Sequence, residues 1–207
     1  MHTLKLAILG RDGILNEYRE DHVKEPGEWQ PISGALEAVA RLNHAGWHTV
    51  VATNQSGIGR GLIDMASINA VHAEMNRRLM AQGGRIDAVF FCPHTPEDNC
   101  ECRKPQPGMF RDIGKRYGVP LTHVPVACDT LRDLRAARAA GCEPHLVLTG
   151  RAATLAESEL KSMLAQFSTE GGGASDTVTV HADLAAFAEF LLSREHVVDS
   201  ASGALER

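Results

Sequence analysis

The sequence has no apolar run long enough to cross a bilayer. Residues 1–10 are apolar but short, carry Lys5 and show no small-residue cleavage pattern, so neither a secretory leader nor a spanning segment is expected of them. It also lacks an excess of positive charge, with 21 Lys and Arg against 26 Asp and Glu and a formal net charge of -5. That balance removes the electrostatic footprint of a nucleic-acid binder or a polybasic membrane binder. Cysteine is sparse, five in 207 residues, which argues against a disulfide framework and directs attention to spacing instead. No internal repeat is visible. What remains is an ordinary globular composition, 43% hydrophobic and 23% charged, sufficient for one buried core. The expectation is a cytoplasmic monomer whose partner is a small molecule.

Short runs rich in Val, Ile and Phe, at Leu4 to Leu9, Trp47 to Ala52, Ala88 to Phe91, Val124 to Ala127 and Leu146 to Leu148, read as buried strands. Between them lie helical patterns at Ser33 to His44, Met65 to Gln82, Pro107 to Tyr117 and Leu131 to Ala140. Such alternation predicts an α/β fold, Rossmann-like, with a mostly parallel sheet, helices on both faces and right-handed crossovers. Ser33 and Asp64 read as helix N-caps, and Gly46, Gly118 and Gly141 as helix stops. Beyond Leu148 the pattern predicts a polar helix over Ala152 to Phe167 and a flexible loop over Glu170 to Ser175. A last strand over Thr177 to Val180 and a helix over Leu184 to Leu192 then close a single domain spanning 1–194. Residues 195–207 read as a disordered tail.

In an open parallel sheet, reactive groups collect beyond the carboxyl ends of the strands. Four places line up there: Gly10-Arg-Asp12-Gly13, Thr53-Asn54-Gln55-Ser56-Gly57, Arg103-Lys104-Pro105, and Asp129 with Asp133 four residues on. A second constellation is Cys92-Pro-His94 followed by Cys100-Glu-Cys102. Two close ligand pairs joined by a five-residue loop can wrap a tetrahedral zinc ion with three thiolates and one imidazole, a complete set that argues for a structural metal.

The order of the four strand-end motifs resembles the haloacid-dehalogenase phosphatases, over about residues 4 to 150. The resemblance implies an aspartate nucleophile ending the first strand, a second aspartate two residues later as general acid and base, and Mg²⁺. By position it assigns Asp12 as the acid and base and as a Mg²⁺ ligand through its backbone carbonyl. Asp129, with Asp133 through water, would hold the same hard cation. Thr53 and Lys104 would neutralise the phosphoryl oxygens. The nucleophile position is occupied by Gly10, which has no side chain to attack phosphorus or bind metal. The loss expected is on the order of 10⁶ in rate, or about 8 kcal/mol of transition-state stabilisation, with weaker Mg²⁺ binding. Cys128 stands where the family has glycine.

The Cys-x-His and Cys-x-Cys pairs resemble a narrower group, the heptose-bisphosphate phosphatases and the related histidinol-phosphate phosphatases. The segments Thr53 to Gly61 and Cys102 to Met109 are similar to the heptose group. This resemblance implies a minimal cap and a substrate loop at Tyr18, Arg19, Glu20 and Asp21. Further substrate contacts would come from Thr53, Asn54, Gln55, Ser56, Arg60, Arg103 and Lys104. The implied function is hydrolysis of the 7-phosphate of manno-heptose 1,7-bisphosphate for surface polysaccharide, either lipopolysaccharide or capsule. The alternatives are a non-catalytic phosphosugar-binding protein and a histidinol-phosphate phosphatase. His22, His44, His48 and His72 read as ordinary surface or packing residues, and Cys142 as a small buried hydrophobe. Gly57-Ile-Gly-Arg-Gly61 fits neither a P-loop nor a dinucleotide fingerprint.

Overall fold

In the computed structural model of the protein, which describes residues 4–170 and 178–203, the elements alternate along the chain. They run β1 (Leu6–Leu9), α1 (Ala35–His44), β2 (His48–Asn54), α2 (Ser56–Gly59), α3 (Met65–Ala81) and β3 (Ala88–Cys92). There follow α4 (Gly108–Tyr117), β4 (Pro125–Cys128), α5 (Leu131–Ala140), β5 (Glu143–Val147), α6 (Glu157–Thr169), β6 (Thr179–His181) and α7 (Leu184–Gly203). Among the described residues the strands form one sheet in the order β3-β2-β1-β4-β5-β6, parallel throughout.

Burial on both faces explains why the strands read as continuous apolar runs. On one face Ala7, Leu9 and Val51 pack with Leu36, Val39 and Leu42 of α1, Val71, Met75 and Leu79 of α3, and Leu184, Phe187 and Leu191 of α7. On the other, Leu6, Ile8, Val50 and Ala52 pack with Met109, Phe110 and Ile113 of α4, Leu134 of α5 and Phe167 of α6. Because successive strand residues point to opposite faces, the run Leu6–Leu9 feeds both cores at once. The segment between β1 and α1 forms no separate cap domain. It folds back on itself through Glu17 N–H to Gln30 O (2.8 Å) and Ile32 N–H to Leu15 O (3.0 Å), with Trp29 fully buried beneath it.

Several boundaries differ from expectation. Ser33 does not cap α1: the N-cap is Gly34, whose left-handed φ of 76° turns the chain into the helix without a side-chain bond. Asp64 does cap α3, accepting from Ser67 N–H at 2.7 Å, and Gly118 and Gly141 end α4 and α5 in the left-handed conformation. The expected helix over Ala152 to Phe167 is divided into a 3-10 turn (Ala152–Thr154) and α6. Strand β5 starts at Glu143, ahead of the apolar run that signalled it. Helical backbone in α7 continues past Arg194, where a tail was expected. Of the expected loop Glu170 to Ser175, all but Glu170 lies outside the described residues, as does Thr177 of the last expected strand. No helix among the described residues is long and apolar enough to cross a membrane.

Candidate functional site

A cavity of about 250 Å³ opens at the carboxyl ends of the strands. It collects Gly10 and Asp12 after β1, Thr53, Asn54, Gln55 and Ser56 at the end of β2, Arg60, Arg103 and Lys104, and Asp129 and Asp133 after β4. Tyr18, Arg19 and Glu20 of the segment after β1 complete this wall. Asp21 does not line the cavity; its carboxylate pairs with Arg19 at 3.1 Å and Lys24 at 3.3 Å in solvent. Although the chain is acidic overall, the cavity is lined by seven cations (Arg11, Arg19, Arg60, Arg103, Lys104, Arg132, Arg151) and four acids (Asp12, Glu20, Asp129, Asp133). A small ligand with concentrated negative charge matches that lining.

Asp12 is held by four donors from two parts of the chain, the turn after β1 and the end of β2. Its Oδ1 accepts from Arg11 Nη2 and Asn16 Nδ2, both at 3.0 Å, and its Oδ2 from Gln55 Nε2 at 2.8 Å and, more distantly, Thr53 Oγ1 at 3.5 Å. Burial is the largest influence on this carboxyl and works to raise its pKa. The Arg11 charge and the hydrogen bonds from Asn16, Arg11 and Gln55 outweigh it together, so the net shift is downward. Arg11, only 1% exposed, also meets His72 Nε2 at 3.1 Å through its other Nη. Burial, followed by the Arg11 charge, lowers the His72 pKa to about 4, so the ring is neutral and accepts that bond. His72 therefore backs the site instead of merely filling a helix surface.

Lys104, 4% exposed, donates to Ala52 O at 3.0 Å and pairs with Asp133 at 3.2 Å. Two of its three N–H groups are thus occupied, leaving one for a ligand in the cavity. Asn54 fixes the Lys104 backbone by a reciprocal pair, Nδ2 to Lys104 O at 3.0 Å and Lys104 N–H to Oδ1 at 3.1 Å. Asp133 also accepts from Arg132 at 3.2 Å. Burial works to raise its pKa, and the charges of Lys104 and Arg132 overcome this to lower it. Asp129 lacks such cations in contact. Burial, then the Asp133 charge, pushes it up to about 7, and its Oδ2 accepts only from Arg151 N–H at 3.0 Å. Gly13 and Gly150 make room for that carboxylate: each has a positive φ (81° and 53°), and a Cβ would fall 2.1 Å or 2.5 Å from Asp129 Oδ2.

Gly10 carries no such requirement. A Cβ there would meet Ile14 Cγ1 at 2.9 Å and next Ile14 Cβ at 3.6 Å, so the obstacle to a side chain is one aliphatic neighbour and not the backbone.

At the end of β3 and on the loop after it, the potential ligand atoms of Cys92, His94, Cys100 and Cys102 all lie within 4.8 Å of one another. Sulfur–sulfur separations are 3.3 to 3.6 Å, and His94 Nδ1 lies 3.6 Å from Cys92 Sγ and 3.3 Å from Cys102 Sγ. Four ligands on a tetrahedral ion at ordinary zinc–thiolate lengths stand ~3.7 Å apart, so the cluster has nearly the size of a metal's coordination shell. A 3-10 turn (Pro96–Asp98) shapes the loop, with Thr95 N–H bonded to Asp98 Oδ2 at 2.7 Å. Arg103, next after the last cysteine, donates to His94 O at 3.1 Å, tying the cluster to the cavity wall.

Sequence reasoning missed Arg11, His22, Val23, Thr130, Arg132 and Arg151 as lining residues. Arg132 and Thr130 flank Asp129 and could have been found by proximity. Arg151 follows the carboxyl end of β5, where the same topological rule applies.

A parallel sheet with this strand order, carrying Asp12, Thr53, Lys104 and Asp129 in turn at its carboxyl ends, defines a class of phosphate-handling α/β proteins. Family models agree: residues 12–127 match Polynucleotide kinase 3 phosphatase, and residues 101–166 match a HAD-hydrolase-like family. The chain belongs to the haloacid-dehalogenase superfamily of phosphatases. More particularly, it is 50% identical over 189 residues to the D-glycero-beta-D-manno-heptose-1,7-bisphosphate 7-phosphatase of Bordetella bronchiseptica, covering 91% of this chain and 98% of that one. It is also similar to the crystal structure of D,D-heptose 1,7-bisphosphate phosphatase from B. bronchiseptica complexed with magnesium and phosphate. The TM-score there is 0.81 at 50% identity, over 92% of this chain and 99% of the other. The corresponding structure from Burkholderia thailandensis gives 0.66 at 44% identity, over 91% and 99%.

Proposed function

We propose that the chain is built to bind manno-heptose 1,7-bisphosphate with the 7-phosphate over Gly10, and that Gly10 occupies the nucleophile position, leaving hydrolysis negligible. The observation that carries this reading is the single cavity that gathers Gly10, Asp12, Thr53, Lys104 and Asp129 among excess cations. Relatives named as acting on that bisphosphate support the substrate. Histidinol phosphate, which carries an ammonium group and one phosphate, suits a cation-rich lining less well than a bisphosphate does. A non-catalytic phosphosugar-binding role draws on the same residues and is favoured by Gly10 itself.

Within this reading Lys104 directs its free N–H at the phosphoryl oxygens as charge spreads over them, and Thr53 turns its hydroxyl to them from its long 3.5 Å contact with Asp12. Asp12 is ionised at rest. A dianionic phosphoryl group beside it opposes the Arg11 charge and raises its proton affinity. Its carboxylate can then hold the proton that the leaving alkoxide needs and later take one from water. Asp129 and the Asp12 carbonyl would hold Mg²⁺: both are hard oxygen donors, and an Asp129 carboxyl pushed up to about 7 is one that a cation would keep ionised. When bound, the cation supplies charge neutralisation to the phosphoryl oxygens. With no carboxylate at residue 10, Mg²⁺ affinity should be weaker than in a relative that has one. In the cysteine–histidine loop, Cys92, His94, Cys100 and Cys102 would hold one structural Zn²⁺.

Phosphate release from heptose bisphosphate with Mg²⁺ tests the proposal. The chain itself should show none above background, while Gly10→Asp should gain several orders of magnitude, up to the ~10⁶ by which nucleophile deletions cost other enzymes. Ile14 must shift to admit the new side chain, so Gly10→Asp with Ile14→Val is the companion variant. Release by the unmodified chain that Asp12→Ala abolishes would refute the assignment of residue 10.

A further inference from the structure

Arg151 touches two parts of the cavity that no nearby sequence connects. Its backbone N–H donates to Asp129 Oδ2 at 3.0 Å. Its guanidinium carbon lies 4.3 Å from the centre of the Tyr18 ring, and an Nη donates to the Tyr18 hydroxyl. Among the described residues no carboxylate lies within ion-pair distance of this guanidinium; Arg60 and Arg103 share that property, whereas Lys104, Arg132 and Arg11 spend their charge on Asp133 and Asp12. Of the three unpaired cations Arg151 is the one stacked on an aromatic ring. Resting on the reading above, we propose that Arg151, held against Tyr18, recognises the substrate phosphate that is not hydrolysed, and so selects bisphosphates over monophosphates.

The chemistry follows from the shape of the group. A guanidinium stacked on an aromatic face has its plane fixed while its in-plane N–H edges stay available, and such an edge matches two oxygens of a phosphate. Stacking removes much of the rotamer freedom that an exposed arginine would otherwise lose on binding. The reacting phosphoryl group already has Thr53 and Lys104 from the β2 side of the cavity. Arg151 arrives from the end of β5 and leans on the loop after β1, so its free edge serves a different part of the ligand. A lysine at this position would keep the charge and lose the planar fork.

Because the unmodified chain should not turn over, intact heptose bisphosphate can serve directly as a calorimetric ligand with Mg²⁺ present. Heptose 7-phosphate and inorganic phosphate serve as the comparison probes. Arg151→Gln should weaken bisphosphate binding by about tenfold or more, as loss of a charged hydrogen-bonding fork implies, and leave both comparison probes within about twofold. Arg151→Lys should lose most of the same affinity, and Tyr18→Phe, which keeps the ring, should lose little. Equal weakening for all three ligands would place Arg151 on the reacting phosphate and overturn the proposal. So would an unchanged bisphosphate affinity, or a loss that appears in Arg60→Gln instead. If the unmodified chain bound bisphosphate no more tightly than inorganic phosphate, the substrate reading itself would fall, and Arg151 with it.

Discussion

The cysteine–histidine cluster and the phosphate cavity are neighbours built on opposite principles. The cluster draws its four side chains from residues 92–102, so its spacing in the sequence is its geometry. The cavity draws on the ends of β1, β2, β4 and β5, and its members hold one another: Asp12 by Arg11, Asn16 and Gln55, and Lys104 by Asp133 and Ala52 O. If the cluster holds the proposed zinc, loss of one of its four side chains leaves the other three without a shared partner. Absence of a side chain at residue 10 leaves every one of those cavity contacts in place. A cavity assembled from mutually supporting pairs can therefore keep its shape with no side chain at residue 10, and the proposed loss of the nucleophile there is compatible with the contacts around it.

The comparison would break most sharply at the Lys104–Asp133 pair. Both groups are buried, so Asp133→Ala strands a buried charge and should cost about 3–5 kcal/mol in urea unfolding. The double variant Lys104→Met with Asp133→Ala should recover most of that stability while abolishing phosphate binding. If the single variant were as stable as the parent, the cavity would not be the self-supporting network described here.

A smaller effect is expected from the cluster. Cys100→Ala should eliminate stoichiometric zinc and lower global stability by about 2 kcal/mol, because the proposed metal would support a loop at the margin of the core. Hydrogen exchange should rise first at Arg103 and Lys104, which the loop positions. Metal analysis that finds no zinc in the parent would remove the cluster from the account.

The smallest effect concerns buried imidazoles. Burial, then the neighbouring His145, lowers His181 to about 4, and His72 is lowered to a similar value by burial and Arg11. The unfolded chain binds these protons more readily than the folded one, so their stabilising contribution is complete above about pH 6.5 and declines as the pH falls toward 4. Between pH 7.5 and pH 5 each should contribute a loss of about 1–2 kcal/mol with Mg²⁺ present to hold Asp129 ionised. His181→Gln should flatten that slope by roughly half in paired thermal or urea unfolding curves. An unchanged slope would show that His181 is not the group responsible.

Contiguity separates what was legible in the sequence from what was not. Strand and helix order followed from alternating apolar runs, and the grouping of Asp12, Thr53, Lys104 and Asp129 followed from their places after strands. Asp64 announced its helix, because a cap bonds three residues away. Ser33 misled, because Gly34 makes the same turn with backbone alone. Asp21 was expected among the substrate contacts, but Arg19 and Lys24 claim its carboxylate in solvent. His72 reaches the site only through tertiary packing, 61 residues from Arg11. While the place of Arg151 after β5 was legible, its contact with Tyr18, 133 residues away, was not, because local pattern carries no trace of such contacts.

The central claim is that residue 10 is the position of covalent attack. Brief incubation of Gly10→Asp with heptose bisphosphate and Mg²⁺, followed by acid quench, borohydride reduction of the acyl phosphate and peptide mass spectrometry, tests it directly. The expected result is reduction of the aspartate to homoserine at residue 10 in the variant, with no modified carboxylate in the unmodified chain. A phosphorylated carboxylate at Asp12 or Asp129 in either protein, or turnover by Gly10→Asp without any label at residue 10, would contradict it.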